Sequence, residues 1–194
     1  MNMKWLPFLC CAAFALGACS GTSPSNHYQI RQKVMAEKTS GKLKQKQMFI
    51  TLKDQNGKKK GIARLMQTSE GVKITVEAIG LKPGMHGMHI HEIGKCVPPS
   101  FKSAGEHFNP FGKEHGFKNP KGPHAGDLPN VMADQNGNVQ TTVFDQLVTL
   151  EKGKKNSLLD KNGSALIIHA GKDDYYSQPS GNSGSRVLCG KITS

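Results

Sequence analysis

The strongest constraint on the fold of this chain is an alternation of apolar and polar residues with a period of two. Between residues 72 and 78, apolar side chains occupy every even position and polar side chains every odd position. Because successive side chains of a β-strand point to opposite faces, this pattern predicts a strand with one buried face. Further strand candidates lie at 48–52, 62–67, 87–91, 139–144, 165–169 and 187–192.

Turn sequences separate several of these strand candidates. Asp-Gln-Asn-Gly occurs at 54–57 and again at 134–137, and Asp-Lys-Asn-Gly stands at 160–163. Asn-Gly between strands is typical of β-hairpins, because both residues tolerate positive φ angles. We interpret the recurrence as shared turn chemistry rather than as a duplicated domain. Short strands joined by such turns predict an all-β fold, an antiparallel sandwich or barrel.

The N-terminus does not follow the strand pattern. Lys4 precedes a mostly apolar run that ends near Leu16, which is shorter than the ~20 residues a membrane-spanning helix needs. The sequence Leu-Gly-Ala-Cys at 16–19 resembles a bacterial lipobox, in which the chain is cut before the cysteine and the thiol is lipidated. We therefore expect residues 1–18 to be a lipoprotein signal peptide and Cys19 to be a lipid anchor. An ordinary cleaved signal is the alternative, and either one exports the protein.

The segment that follows the export signal is polar and has no clear periodicity. Residues 20–47 contain six basic residues and one acidic residue, Glu37. Such a segment cannot bury enough apolar surface to offset its conformational entropy, so residues 19–47 are predicted to be a flexible basic tether. Its charge favours an anionic membrane surface, and a plain solvated linker is the alternative. One folded domain is then expected over residues 48–194.

The export signal decides how the five cysteines are interpreted. Cys10 and Cys11 would leave with the signal and Cys19 would carry the lipid, so Cys96 and Cys189 remain in the domain. Two cysteines in an exported, oxidising setting predict one disulfide bond, with two free thiols as the alternative. Such a bond would close a loop of roughly 90 residues, which contributes on the order of 4 kcal/mol to stability in the chain-entropy account.

Two long segments, 94–130 and 171–186, do not fit the strand pattern, and loops of such length are usually functional. His89 and His91 stand two residues apart on a strand candidate, so both imidazoles point to the same face. Imidazole suits copper and zinc, and three histidines with one carboxylate suit a closed tetrahedral zinc site. The other candidate ligands are His107, His115, His124, Asp127 and His169.

At these residues the chain resembles the copper–zinc superoxide dismutases, most closely the exported bacterial branch. The resemblance covers roughly residues 48–193. Its motifs are Gly-Met-His-Ile-His-Glu at 87–92, Ser-Ala-Gly-Glu-His-Phe-Asn-Pro at 103–110, Lys-Glu-His-Gly at 113–116, Pro-His-Ala-Gly-Asp-Leu at 123–128, Ile-His at 168–169 before Asp-Asp at 173–174, and Gly-Asn-Ser-Gly-Ser-Arg at 181–186. The implied fold is a Greek-key antiparallel β-sandwich or barrel of about eight strands with two long functional loops, and this family is a known example of it.

The resemblance implies two metal groups that share one histidine. Copper would be bound by His89, His91, His107 and His169, and zinc by His107, His115, His124 and Asp127. Asp173 would link His89 to His115 and fix their orientation. His86 would hydrogen-bond the backbone behind the copper site. Arg186 would dock a small anion beside copper, so Arg186 and His107 would be the catalytic residues.

The implied reaction is the disproportionation of superoxide to dioxygen and hydrogen peroxide, with copper alternating between two oxidation states. In an exported protein it would protect the cell envelope, in the periplasm or on the outer face of the cytoplasmic membrane. The segment between His169 and Arg186 is shorter than in eukaryotic members, and the charged residues that guide superoxide there have no clear counterparts. We therefore hypothesise that some of the loop lysines Lys95, Lys102 and Lys113 supply the attracting field.

Two other classes of function stay open from the sequence. A copper- or zinc-binding envelope lipoprotein would hold both metals without fast dismutase turnover. Some bacterial relatives have lost a copper ligand, whereas all four copper histidines are present here. The net charge of +12 would also suit a polyanion binder, but no aromatic platform or nucleic-acid motif accompanies it, so nucleic acid is not an expected partner. The sequence does not give the oligomeric state.

Overall fold

The computed structural model describes residues 46–194, so residues 1–45 with the predicted signal peptide, Cys19 and most of the tether lie outside the described residues. The described chain consists of short strands and one 3-10 turn at Lys102–Ala104. The strands are β1 (Gln47–Asp54), β2 (Lys59–Thr68), β3 (Gly71–Ala78), β4 (Gly84–His86), β5 (Met88–His91), β6 (Val131–Ala133), β7 (Val139–Asp145), β8 (Ser164–His169) and β9 (Arg186–Ile192). The predicted all-β fold is confirmed, and no helix in the described part could span a membrane.

The strands form two antiparallel sheets. One has seven strands in the order β5-β8-β9-β1-β2-β3-β7, and the other pairs β4 with β6. The neighbours β3 and β7, β5 and β8, and β1 and β9 are far apart in sequence, so crossover connections build the sheet. These crossovers place β5 and β8, which carry three of the candidate ligands, side by side at one edge.

The alternation that predicted the strands also builds the core. Ile74 on β3 lies opposite Leu65 on β2 and Val143 on β7, and the first two side chains are fully buried. On the opposite face Thr75 and Thr142 share a hydrogen bond of 3.0 Å between their hydroxyls. Burial of a leucine or isoleucine side chain stabilises the fold by about 1.5–3 kcal/mol, so this inner face fixes the register.

The turn at 54–57 forms the predicted hairpin between β1 and β2. Asp54 Oδ1 accepts hydrogen bonds from the backbone N–H groups of Asn56 and Lys58, and Gly57 has a φ of 76°. The same turn at 134–137 joins β6 to β7, which belong to different sheets. The strands on its two sides therefore separate rather than pair, so the motif specifies the local turn and not the partner of each strand.

Two long connections and one disulfide complete the domain. Residues 92–130 link β5 to β6, and residues 170–185 link β8 to β9. The predicted disulfide between Cys96 and Cys189 is confirmed, with 5.8 Å between the two Cα atoms, and it ties the first connection to β9. A small buried cluster surrounds it, made of Phe101, Ala104, Ala165 and Ile167.

Candidate metal centre

The two long connections bring six histidines and one aspartate together beside β5 and β8. Their ligand atoms form two groups, and within each group these atoms lie within 4.8 Å of one another. The first group is His89, His91, His107 and His169, and the second is His107, His115, His124 and Asp127. The candidates that the sequence separated by up to 80 residues are therefore neighbours in space, and His107 belongs to both groups.

Local strand geometry positions the first group. His89 and His91 alternate with Ile90 on β5, so their rings lie on one face, while His169 ends the neighbouring strand β8. His107 reaches them from the long connection, because residues 107 and 91 form an isolated antiparallel bridge. Ring centroids of His89 and His107 are 4.0 Å apart, and those of His91 and His107 are 4.9 Å apart.

Hydrogen bonds on the far side of each ring fix its orientation. His91 Nδ1 donates to the carbonyl oxygen of Gly105 at 2.9 Å, and His169 Nδ1 donates to that of Gly184 at 3.0 Å. His89 is turned the other way, because its Nε2 donates to Asp173 Oδ2 at 2.7 Å. Each of these rings therefore directs its remaining nitrogen, with a free lone pair, toward the other rings.

The ring nitrogens without a hydrogen bond show whether the first group could bind a metal ion. Within residues 46–194, six buried side-chain nitrogen or oxygen atoms have no hydrogen-bond partner, and four of them are His89 Nδ1, His91 Nε2, His107 Nε2 and His169 Nε2. Leaving buried polar atoms unsatisfied is costly, so four such atoms converging on one point indicate a missing common partner. Four imidazole nitrogens suit copper.

Burial keeps the rings of the first group neutral near pH 7. It lowers the pKa of His169 to about 3 and that of His107 to about 4, in both cases with the repulsion of His89 as a further cause. It also lowers the pKa of His91 well below its ordinary value and lowers that of His89. Neutral imidazoles have lone pairs available for a metal without prior loss of a proton.

The second group is arranged around one oxygen atom. Asp127 Oδ1 lies 2.8 Å from His107 Nδ1, 3.0 Å from His115 Nδ1 and 3.3 Å from His124 Nδ1. Ligands bound at ~2.0–2.1 Å in a tetrahedron are about 3.3 Å from one another, so these separations fit a zinc ion with three nitrogens and one oxygen. Asp127 Oδ2 stays available to the backbone, and it accepts the N–H groups of Gly116 and His124.

The second group combines a histidine that favours its protonated form with a carboxylate that favours its ionised form. Burial lowers the pKa of His115, but hydrogen bonds to Asp127 and Asp173 outweigh it and raise the pKa to about 9. Burial raises the pKa of Asp127, but hydrogen bonds from the rings of His107, His115 and His124 bring it far below its ordinary value. The carboxylate is therefore ionised at every pH at which the protein would work.

Asp173 connects the two groups. Its Oδ2 accepts from His89 Nε2 at 2.7 Å and its Oδ1 accepts from His115 Nε2 at 3.1 Å, and the side chain is fully buried. Gly181 leaves room for this contact, since a Cβ there would lie 1.7 Å from Asp173 Oδ1 and its φ is 65°. His86 lies behind the first group, with its ring nitrogens 2.7 Å from the carbonyl oxygens of His169 and Lys82.

Arg186 lies between the first group and an open cavity. Its guanidinium donates to the carbonyl oxygens of Phe101 and Gly105 at 2.9 and 2.8 Å, and its charge contributes to the lowered pKa of His91 after burial and the His107 ring. The cavity has a volume of about 640 Å³. Of the lysines that the structure describes, only Lys102 lines it, so neither Lys95 nor Lys113 does.

Two side-chain amides that hold Asp173 and His115 in place were not predicted from the sequence. Asn130 donates to the Asp173 carbonyl oxygen at 2.9 Å and accepts the Asp173 N–H at 2.8 Å. Gln178 makes the same two-bond contact with the backbone of His115. The only sequence signal was the position of these amides in or beside the long connections, and that signal does not identify their partners.

Comparison with known proteins gives consistent matches. The family model for copper/zinc superoxide dismutase (SODC) matches residues 59–192. Superoxide dismutase (Cu-Zn) 1 of Aquifex aeolicus is 56% identical over 140 residues, which cover 72% of this chain and 83% of that protein. The crystal structure of a SOD-like protein from Bacillus subtilis has 46% identity and a TM-score of 0.72, covering 74% of this chain and 97% of that one. The Cu/Zn superoxide dismutase from Brucella abortus has 28% identity and a TM-score of 0.63, covering 76% and 99%.

Proposed function

Because this chain belongs to the copper/zinc superoxide dismutase family, we propose that it removes superoxide outside the cytoplasm and so protects the cell envelope. Two superoxide anions and two protons give dioxygen and hydrogen peroxide. The observation that carries the proposal is the convergence of four unsatisfied, buried histidine nitrogens beside a second group of zinc-ligand geometry.

Each metal is assigned to one group. Copper would be held by His89, His91, His107 and His169, and zinc by His107, His115, His124 and Asp127. Bound copper supplies one-electron redox chemistry, and bound zinc has none but holds its ligands in place. His107 presents Nε2 to the first group and Nδ1 to the second, so holding both metals would require this ring to lose its remaining proton and act as an imidazolate.

Arg186 is the residue that binds the substrate anion. A guanidinium is always charged near neutral pH, and its remaining N–H groups suit a small oxyanion. The hydrogen bonds to Phe101 and Gly105 hold it beside the first group, at the wall of the cavity from which superoxide would arrive. A change of pH near neutrality should leave these two hydrogen bonds intact, because neither the guanidinium nor a backbone carbonyl group titrates there.

His107 is the residue that handles a proton. Its Nε2 lies in the first group without a hydrogen-bond partner among the described residues, while Nδ1 is directed at Asp127. While Nε2 is not bound to metal, it can take up a proton and pass it on to a reduced oxygen species next to Arg186. The second proton of the balanced reaction comes from water.

The functional assignment is tested by loading the purified protein with copper and zinc and measuring superoxide decay. A dismutase accelerates the decay catalytically, over many turnovers per protein. A protein that binds both metals but consumes superoxide no faster than the metal-free form would instead be the metal-binding envelope lipoprotein. Metal analysis of the same sample separates a failed loading from a failed activity.

Export and lipidation are a further part of the proposal. They rest on the apolar run that ends at Leu16 and on the Leu-Gly-Ala-Cys sequence at 16–19. Cys19→Ser should convert a membrane-associated protein into a soluble exported one, which fractionation of cells measures directly. Unchanged membrane association of the variant would contradict lipidation, while leaving the dismutase assignment intact.

A further inference from the structure

Gln178 makes a contact with the second group that its sequence position does not explain. It lies in the connection between β8 and β9, on the surface, and it is neither a ligand nor a neighbour of one in sequence. Its Oε1 accepts the backbone N–H of His115 at 2.9 Å, and its Nε2 donates to the His115 carbonyl oxygen at 2.9 Å. The side-chain amide therefore pairs with His115 as a neighbouring strand would.

Hydrogen bonds hold both the ring and the backbone of His115. Its ring donates to Asp173 through Nε2 and faces Asp127 through Nδ1, so the ring plane is fixed. The remaining freedom is a movement of the backbone that carries the ring, and Gln178 is the side chain that bonds both polar groups of that backbone unit. The ring itself is fully buried, whereas Gln178 is exposed.

The contact between Gln178 and His115 is one of several that attach the connection at 170–185 to the connection at 92–130. Gly116 packs so closely on Tyr175 that a Cβ would lie 2.1 Å from the Tyr175 carbonyl oxygen, and the same oxygen accepts the N–H of Lys118 at 3.0 Å. Asp173, Tyr175 and Gln178 thus each bond the segment 115–118. Of the three, Gln178 is the last before Arg186 along the chain.

We propose that Gln178 is a positioning residue for the zinc site. It holds the backbone of His115 in the place from which His115 Nδ1 lies close to the other three ligand atoms. The inference rests on the proposed function only in taking the second group as the zinc site. Outer partners that orient metal ligands typically change metal affinity by about 10- to 100-fold when they are replaced. Because Gln178 is exposed, we expect the lower end of this range.

The test uses the full chain and Zn²⁺ alone, with affinity measured by competition against a chromophoric chelator. Gln178→Ala and Gln178→Met should both weaken Zn²⁺ binding about tenfold, because neither can form the two hydrogen bonds. Met keeps the length of the side chain, so it separates hydrogen bonding from packing. Gln55→Ala is the matched control, since Gln55 is an exposed glutamine that donates to a backbone carbonyl, that of Arg186, outside the zinc group.

A positioning role predicts a selective effect. Copper affinity of the first group should stay within about threefold of wild type, and Co²⁺ bound in place of zinc should show altered visible bands in both variants. Zinc affinity within threefold of wild type in Gln178→Met would overturn the proposal, as would an equal loss in Gln55→Ala or an equal loss of copper affinity. If wild type itself binds no Zn²⁺, the zinc assignment fails as well, which distinguishes the two failures.

Discussion

Arg186 and His91 donate hydrogen bonds to the same carbonyl oxygen, that of Gly105, at 2.8 and 2.9 Å. The shared acceptor fixes the distance between the Arg186 guanidinium and the His91 ring of the first group. Glycine is suited to this position, because its φ is 75° and a Cβ would lie 2.7 Å from Glu92 Oε1. One peptide unit therefore aligns the guanidinium with the first group of histidines.

Replacement of Arg186 should lower activity strongly. Arg186→Ile removes the anion-binding charge beside the first group, and the second-order rate constant with superoxide should fall by about 10- to 100-fold. The loss should persist at any salt concentration, because the guanidinium acts at contact distance. Arg186→Lys keeps the charge but not both hydrogen bonds to Phe101 and Gly105, so it should retain part of the activity. An Ile variant with the wild-type rate would contradict a substrate-binding role for Arg186.

Long-range attraction of superoxide should depend on Lys102. It lines the cavity next to Arg186, so Lys102→Gln should lower the rate constant roughly two- to threefold at low ionic strength. The difference should disappear above ~0.1 M salt, where the Debye length falls below ~10 Å. The double variant Lys95→Gln/Lys113→Gln is the matched control and should change the rate less. Equal effects of both variants would mean that net charge, and not the cavity lining, attracts the substrate.

Arg186 and Lys102 illustrate what could and could not be predicted from the sequence. The strands of the large sheet and the His-x-His pair followed from patterns that are local in sequence, such as the alternation at 72–78. The disulfide followed from the cysteine count once the export signal was set aside, and the full ligand sets followed from the resemblance to the family. Which of three loop lysines borders the cavity depends on how the first connection folds over β5. That path is set by bridges between distant residues, such as 91 with 107, and no local pattern encodes it.

Two strands were not predicted from the sequence, and the reason is their length. β4 and β6 contain three residues each, which is too short for an alternation to be recognised. Their pairing joins residues that are far apart in sequence, such as His86 with Val131, so it forms only in the folded chain. Partners of the ligands, such as Asn130 and Gln178, are hidden for the same reason.

Reduction of the disulfide should destabilise the protein. The bond between Cys96 and Cys189 closes a sequence separation of 93 residues, and its loss should cost on the order of 4 kcal/mol. The long connection carrying His107 should become more mobile, because Cys96 anchors it to β9. Thermal unfolding with and without reductant measures the effect, and Cys96→Ser/Cys189→Ser is the matched control that should not respond to reductant. Identical unfolding of wild type under both conditions would show that the bond has no energetic role.

Asp145 should make stability depend on pH. Burial raises the pKa of its carboxyl to about 7 from an ordinary value of 3.8, and only Oδ1 has a hydrogen bond, from the N–H of Leu147. The folded protein therefore keeps a proton that the unfolded chain loses. The stabilisation is complete below about pH 4, is lost between about pH 4 and 7, and amounts to at most ~4 kcal/mol.

The measurement is the free energy of unfolding of wild type and Asp145→Asn at each pH from 4 to 8. The amide does not ionise, so the variant should gain stability relative to wild type as the pH rises to about 7. Taking the difference between the two proteins at each pH removes changes that both share, including those linked to metal ligands. A difference that stays constant with pH would show that Asp145 ionises normally in the folded state.

The proposed function requires that His107 join two metal sites and thereby make the centre catalytic. The most direct test is the second-order rate constant for superoxide decay by wild-type and His107→Ala protein, each loaded with copper and zinc and checked for its β-sheet circular dichroism. We expect catalysis by wild type and a loss of at least about 100-fold in a variant that remains folded, since the change removes Nε2 and Nδ1 together. A folded variant with near-wild-type turnover would contradict this role of His107.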